Sequence, residues 1–182
     1  MQDQGACAWA FDYGADDVTL QNMIPSVKAI ADLDDSAAEI ADQVDYVREV
    51  TGSDKENLVG HSQGGMHIKT YTQMHDGAGH VSHAVALGGN FHGTTLNGQG
   101  ETLSKFIAFA PHLAAFLAST AGIQQVVGSE FIKRLNVLPD TAPGVLYTSI
   151  YSPGDTTVTP NSSSQLALGD GADVVNLDLG AV

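Results

Sequence analysis

A chain of 182 residues and 18.9 kDa is about one domain long on a prior of roughly 100–200 residues each, which excludes two full domains. With 43% of its residues apolar and 15% charged it can bury a core, while seven Lys and Arg against 21 Asp and Glu leave a net charge of −14 that repels nucleic-acid phosphates and anionic membrane surfaces. The longest strongly apolar stretch, residues 106–118, is too short to cross a bilayer and is interrupted by Pro111 and His112, and residues 1–5 have neither the basic nor the apolar part of a secretory leader.

In chain order, residues 6–13 (ACAWAFDY) form an apolar run between Gly5 and Gly14 and read as a buried strand. Its Cys7, the one cysteine, reads as a buried small hydrophobe; the alternative is half of a disulfide whose partner lies outside this chain. Ser36-Ala37-Ala38-Glu39 has the capping-box form and predicts a helix start, after which Ala37, Ile40, Ala41, Val44, Val47 and Val50 recur at helical spacing until Gly52. Residues 56–59 predict a short strand running into Gly60-His61-Ser62-Gln63-Gly64-Gly65, then a helix to about His75.

Residues 81–87 (VSHAVAL) predict the next strand, followed by Gly88-Gly89 and the loop Asn90-Phe91-His92-Gly93-Thr94. From Glu101 to about Leu138 the pattern is helical in two or three pieces, broken by Pro111 and Gly122. Its Leu103, Phe106, Ile107, Phe109, Leu113, Phe116 and Leu117 suffice for both a core and an acyl-chain groove, core packing being the plainer explanation. Residues 145–151 (VLYTSIY) and 174–179 (VVNLDL) predict two more strands. Strands alternating with helical crossovers predict an α/β fold, a mostly parallel sheet with helices on both faces, in a single domain over residues 1–182.

Gly60-x-Ser62-x-Gly64 between a strand and a helix is the nucleophile-elbow pattern, a tight turn that lifts the serine oxygen above the sheet. A Cβ at Gly60 or Gly64 is expected to collide with neighbouring backbone, while His61 serves as a spacer. The Gln63 amide, at the helix N-terminus, is a candidate oxyanion donor. An acid follows the serine in this order of elements, and Asp155 is the first choice because it lies in a Ser-Pro-Gly-Asp turn just after the strand 145–151. Asp170, Asp173 and Asp178 rank below it. All seven histidines, His61, His67, His75, His80, His83, His92 and His112, precede Asp155, so none stands where the base is expected. His67, His75, His80 and His83 read as surface of a helix or loop, and His75, His80 and His83 show no recognisable metal-ligand spacing.

Leu58-Val59-Gly60-His61-Ser62-Gln63-Gly64-Gly65, Asn90-Phe91-His92-Gly93-Thr94 and Leu146-Tyr147-Thr148-Ser149-Ile150-Tyr151 leading to Asp155 resemble the small secreted bacterial lipases of the α/β-hydrolase fold, the class 2 triacylglycerol lipase family. The similarity runs from Phe11-Asp12-Tyr13-Gly14 to Val174-Val175-Asn176-Leu177. The resemblance implies hydrolysis of acyl esters of lipids, with Ser62 as nucleophile and Asp155 orienting a histidine, no organic cofactor, a small-molecule lipid or ester as partner, and export from the cell. It also implies a His-Gly loop before the first strand and a catalytic histidine after the last, neither within residues 1–182, so the chain reads as a domain incomplete at both ends and inactive alone. Too little chain separates Gly88 from Pro143 for a large lid domain, which predicts an open site. A degenerate, non-catalytic member with a binding role and a related acyltransferase or thioesterase are the alternatives.

Overall fold

The structure, a computed structural model, describes residues 7–15, 20, 24 and 27–180. Residues 1–6, including Ala6 of the first expected strand, lie outside the described residues, as does the Phe116 side chain.

Helix α1 spans Leu33–Thr51, one turn earlier than Ser36 predicts. Asp32 caps it, its carboxylate accepting from the amides of Asp34 and Asp35. A charged acceptor at a helix N-terminus holds those amides more strongly than a serine hydroxyl does. Ser36 is therefore inside the helix, buried, with its hydroxyl unpartnered among the described residues, and Glu39 accepts from the Gly14 amide at 2.9 Å instead of closing a capping box. The apolar stripe is buried from Leu33 to Val47, but Val50 is exposed, and Gly52 ends the helix in the left-handed region as predicted.

Four strands, β1 Glu56–His61, β2 Val81–Leu87, β3 Leu146–Tyr151 and β4 Asp173–Asp178, form one sheet in the order β1-β2-β3-β4, every pair parallel. Parallel neighbours need crossovers. Helix α2, Gln63–Met74, and a short 3-10 turn supply the first. The second is α3 Gly100–Phe109, α4 Pro111–Ala118, α5 Thr120–Gln124 and α6 Glu130–Asn136. Pro111 opens α4 as predicted, whereas Gly122 sits inside α5 and the chain turns instead at Ser119 and Gly128, both with positive φ.

Two apolar clusters flank α2. Its Ile68 and Tyr71 join α1 and the inner strands β2 and β3, while its Met66 joins Leu33, Ala121, Phe131, Ile132 and Leu135. With the interior filled this way, α3 and α4 pack outside it. Leu103, Phe106 and Ile107 are half-buried, Leu113 and Leu117 are exposed, and Phe109 is 88% exposed, so these residues are not the core the sequence suggests. Among the described residues no helix is long and apolar enough to cross a membrane.

Residues 7–13 also depart from expectation. They form no strand with any described residue, and Trp9, Phe11 and the free Cys7 are exposed. An apolar run becomes a strand only where a neighbour takes its backbone bonds, and the order β1-β2-β3-β4 includes no such pairing for this segment. Trp9 rests edge-on against Tyr46, and Tyr13 reaches the core.

Candidate active site

At the C-terminal edge of the sheet, β1 ends at His61 and α2 begins at Gln63, leaving Ser62 alone to turn the chain. It does so at φ 52°, ψ −116°, a region L-residues rarely occupy and one that surrounding bonds must enforce. The Ser62 amide donates to Leu87 O at 2.9 Å, at the end of β2, and the Ser62 carbonyl accepts from the amides of Gly65, Met66 and Asn90. The Gln63 amide makes no backbone hydrogen bond among the described residues, so the helix N-terminus presents a free donor beside the serine. His61 is exposed at the strand end.

The steric demand on this turn falls on Gly60 and Gly65, not on Gly60 and Gly64. A methyl on Gly60 would stand 2.4 Å from the backbone carbon and oxygen of Gly64, whereas one on Gly64 would meet nothing within 4 Å. A methyl on Gly65 would stand 2.7 Å from Gly89 Cα, because the first turn of α2 and the loop after β2 approach backbone to backbone. The paired glycines 64–65 and 88–89 were the sequence signal for this contact.

Asp155 follows β3 on the same edge. Its Oδ1 accepts from the amides of Thr157 at 2.7 Å and Val158 at 3.1 Å, and its backbone oxygen accepts from Asn161 Nδ2. Its Oδ2 points toward the end of β2, where a methyl on Gly88 would lie 3.7 Å away. Gly88 thus sits between the two candidates: the residue before it bonds the Ser62 amide, and its own amide donates to Ile150 O on β3. Asp170 and Asp173 lie at the opposite, N-terminal end of β4, and Asp178 bonds its own turn at Gly180.

No histidine is hydrogen-bonded to Ser62 or Asp155 among the described residues. His67 is not on the surface as the sequence suggests: it is buried in α2, its Nε2 has no hydrogen-bond partner among the described residues, and burial, reinforced by His75, pushes its pKa down to about 4. A helix packed on two sides buries even its polar positions, which periodicity cannot reveal. His83 is half-buried on β2 against Thr148 Oγ1, and His92 belongs to a separate cluster with Asp140 and Lys69. No group of three or more His, Cys, Asp or Glu among the described residues is placed to hold a metal ion.

The family described as alpha/beta hydrolase fold matches residues 8–115. Among solved structures, Aspergillus fumigatus lipase B is similar at 25% identity and a TM-score of 0.66, over 88% of this chain and 36% of that one. Bacillus licheniformis lipase BlEst2 in its mature form shares the fold at 19% identity and a TM-score of 0.55, over 81% of this chain and 66% of that one. This chain therefore spans about a third of the first structure's length and just under two thirds of the second's. No curated protein matches it.

Proposed function

We propose that this chain, which belongs to the α/β hydrolase fold family, supplies the nucleophile Ser62 and the acid Asp155 of an enzyme that cleaves carboxylic esters of lipids. The observation that carries the reading is the forced backbone of Ser62 at the C-terminal edge of the sheet, with Asp155 on the same edge and Gly88, at the end of the intervening β2, between them. In this reading the Ser62 oxygen attacks the ester carbonyl carbon, the free Gln63 amide bonds the oxygen that gains negative charge, and the alcohol leaves with the proton that the serine gave up. A water molecule then repeats the attack on the acyl-serine and releases the acid. A histidine held by Asp155 carries the proton both ways. In the order serine, acid, histidine it follows Asp155, so the reading assigns the base to sequence beyond these 182 residues and expects the chain alone to be inactive. Membership of the small secreted lipases, and export with it, belongs to the same proposal and rests on the motifs alone. The absence of any histidine bonded to the described Ser62 or Asp155 favours one second reading, a non-catalytic member.

The test is Ser62→Ala in the full-length gene product, with p-nitrophenyl ester turnover and fluorophosphonate labelling as readouts. Turnover should fall by a factor of order 10⁶, and Asp155→Asn should cost less, about 10⁴, by analogy with other serine triads. Turnover in Ser62→Ala equal to that of the parent would overturn the proposal. Stoichiometric labelling of the 182-residue chain by itself would show that one of its own histidines is the base.

A further inference from the structure

The loop between β2 and α3 connects the two halves of the candidate site. At one end the Asn90 amide donates to Ser62 O at 3.2 Å. At the other, Thr94 Oγ1 donates to Thr157 O and accepts from the Thr159 amide, and the Thr95 amide donates to Thr159 O. Thr157 is also a donor to Asp155, so this one loop touches both the serine and the turn that holds the acid.

Its midpoint is His92, and the ring faces only acceptors. Nδ1 lies 3.1 Å from Asn136 Oδ1, while Nε2 lies 3.2 Å from Gln165 O and 3.2 Å from Asp140 Oδ2. The Asn136 amide group is oriented by its own Nδ2, which donates to His92 O. A neutral imidazole has one N–H and would leave one of its nitrogens facing an acceptor lone pair to lone pair; the imidazolium satisfies both. The remaining charges are arranged to suit that cation. Asp140 Oδ1 takes Lys69 Nζ at 2.7 Å, the lysine being 1% exposed inside α2, and Asp140 Oδ2 also accepts from the Ala167 amide. On α6, the nearby Lys133 and Arg134 are engaged by Glu130 and Asp34.

We propose that protonated His92 is a positioning residue for the Ser62–Asp155 edge, an imidazolium clip that fixes the loop holding the Ser62 carbonyl and the Asp155 turn. The titration of the group agrees with its geometry. The hydrogen bond to Asp140 raises the His92 pKa against the effect of burial, with the Asp140 charge and Asn136 adding to the rise and Lys69 opposing it. Burial pushes the Asp140 carboxyl up, but the bonds from His92, Lys69 and the Ala167 amide overcome it and hold the group well below the usual carboxylate range. Because the folded pKa of His92 is raised, the clip is fully present below 6.5 and is lost as pH rises through the folded value. Only the catalytic consequence rests on the function proposed above; the clip itself does not.

Hydrogen exchange at the Thr157 and Val158 amides, the two donors to Asp155, reads the clip directly. Corrected for intrinsic exchange, protection should hold on the acid side and fall about tenfold as the His92 ring resonances titrate, the size expected for losing one charge-assisted bond. His92→Gln should show the lower protection at every pH, and His92→Arg, a permanent cation, should keep it through the alkaline range. If His92→Gln does not fold, Asn136→Ala serves, since removing one acceptor should move the transition to lower pH. Protection independent of pH in the parent, or unchanged in His92→Gln, overturns the clip. Fluorophosphonate labelling of Ser62 in the full-length product should slow along the same alkaline limb. Exchange that follows His92 without any labelling would leave the clip standing and remove the hydrolase reading.

Discussion

Helices α2 and α3–α4 invert the usual relation between composition and burial. The sequence QGGMHIKTYTQM of α2 is polar, yet nine of its residues are buried, including His67, Lys69, Thr70 and Thr72. By contrast α3 and α4, with Phe106, Ile107, Phe109, Leu113 and Leu117, bury only Gly100 and Ala114 among their described side chains. The difference is position. A helix starting at the Ser62 turn is held between the sheet and α5–α6, which draws its polar groups inside: Lys69 takes Asp140 and the Thr70 and Thr72 hydroxyls donate to the carbonyls of His67 and Ile68, while His67 Nε2 has no hydrogen-bond partner among the described residues. What fixes α2 is the approach of backbone to backbone at its first turn; the approach at the start of α3 is looser, a methyl on Gly100 standing 3.0 Å from Thr95 O.

The largest expected effect tests that anchor. Gly60→Ala puts a methyl 2.4 Å from the Gly64 backbone, which no rotamer can relieve, so α2 must shift and stability should fall by about 3 kcal/mol or more. Gly64→Ala, two positions after the serine and open within 4 Å, should instead stabilise by up to about 1 kcal/mol through helix propensity. Urea midpoints of the two variants measure both. Equal losses would mean the turn is held symmetrically about Ser62 and that α2 is not anchored as described.

The residues legible in sequence were those whose chemistry is local. The strand–turn–helix at Ser62 followed from glycine spacing beside an apolar run, and the β-branched residues of β3 together with the rule that parallel sheets gather groups at their C-terminal edge singled out the turn of Asp155. What failed depended on remote partners. Asp32 displaced Ser36 as the cap, residues 7–13 pair with no strand among the described residues, and His67 was drawn inside by packing on both sides of α2. Lys69, His92 and Asp140 are far apart in the chain, and no periodicity connects them. Gly65 could have been read in place of Gly64, since both glycine pairs were visible and only the crossing of the two loops decides which member is crowded.

A smaller effect probes the polar residues that α2 buries. His67 titrates at about 4 in the fold, against 6.5 for the ordinary group, because burial disfavours its charged form. Between those values the unfolded chain binds more protons, so stability should fall as pH drops from 6.5 to 4, by at most about 3 kcal/mol. His92 acts in the opposite sense and only at the top of the window: its pKa is raised in the fold, so its contribution still grows just below 6.5 and levels off at lower pH, where it is protonated folded and unfolded alike. Denaturant unfolding at several pH values should show this slope, and His67→Leu should flatten it. A slope unchanged in His67→Leu would assign the acid sensitivity to the carboxylates and leave His67 without the burial the comparison assigns it.

The smallest expected effect concerns the other member of the pair, and it is informative because it is small. Phe109, the last residue of α3, is 88% exposed, so replacing it removes almost no apolar surface from the interior. Serine and phenylalanine have similar helix propensities, so the backbone is not the reason for any change either. Phe109→Ser should therefore alter the free energy of unfolding by no more than about 0.5 kcal/mol, while lowering the binding of an apolar dye or the tendency to self-associate. Had α3 been part of the core, the same substitution would bury a hydroxyl where a ring had packed, at a cost of about 3 kcal/mol or more. The urea midpoint separates the two by a wide margin. A large loss would place α3 against the interior after all, and the inverted relation between composition and burial in the two helices would then hold for α2 alone.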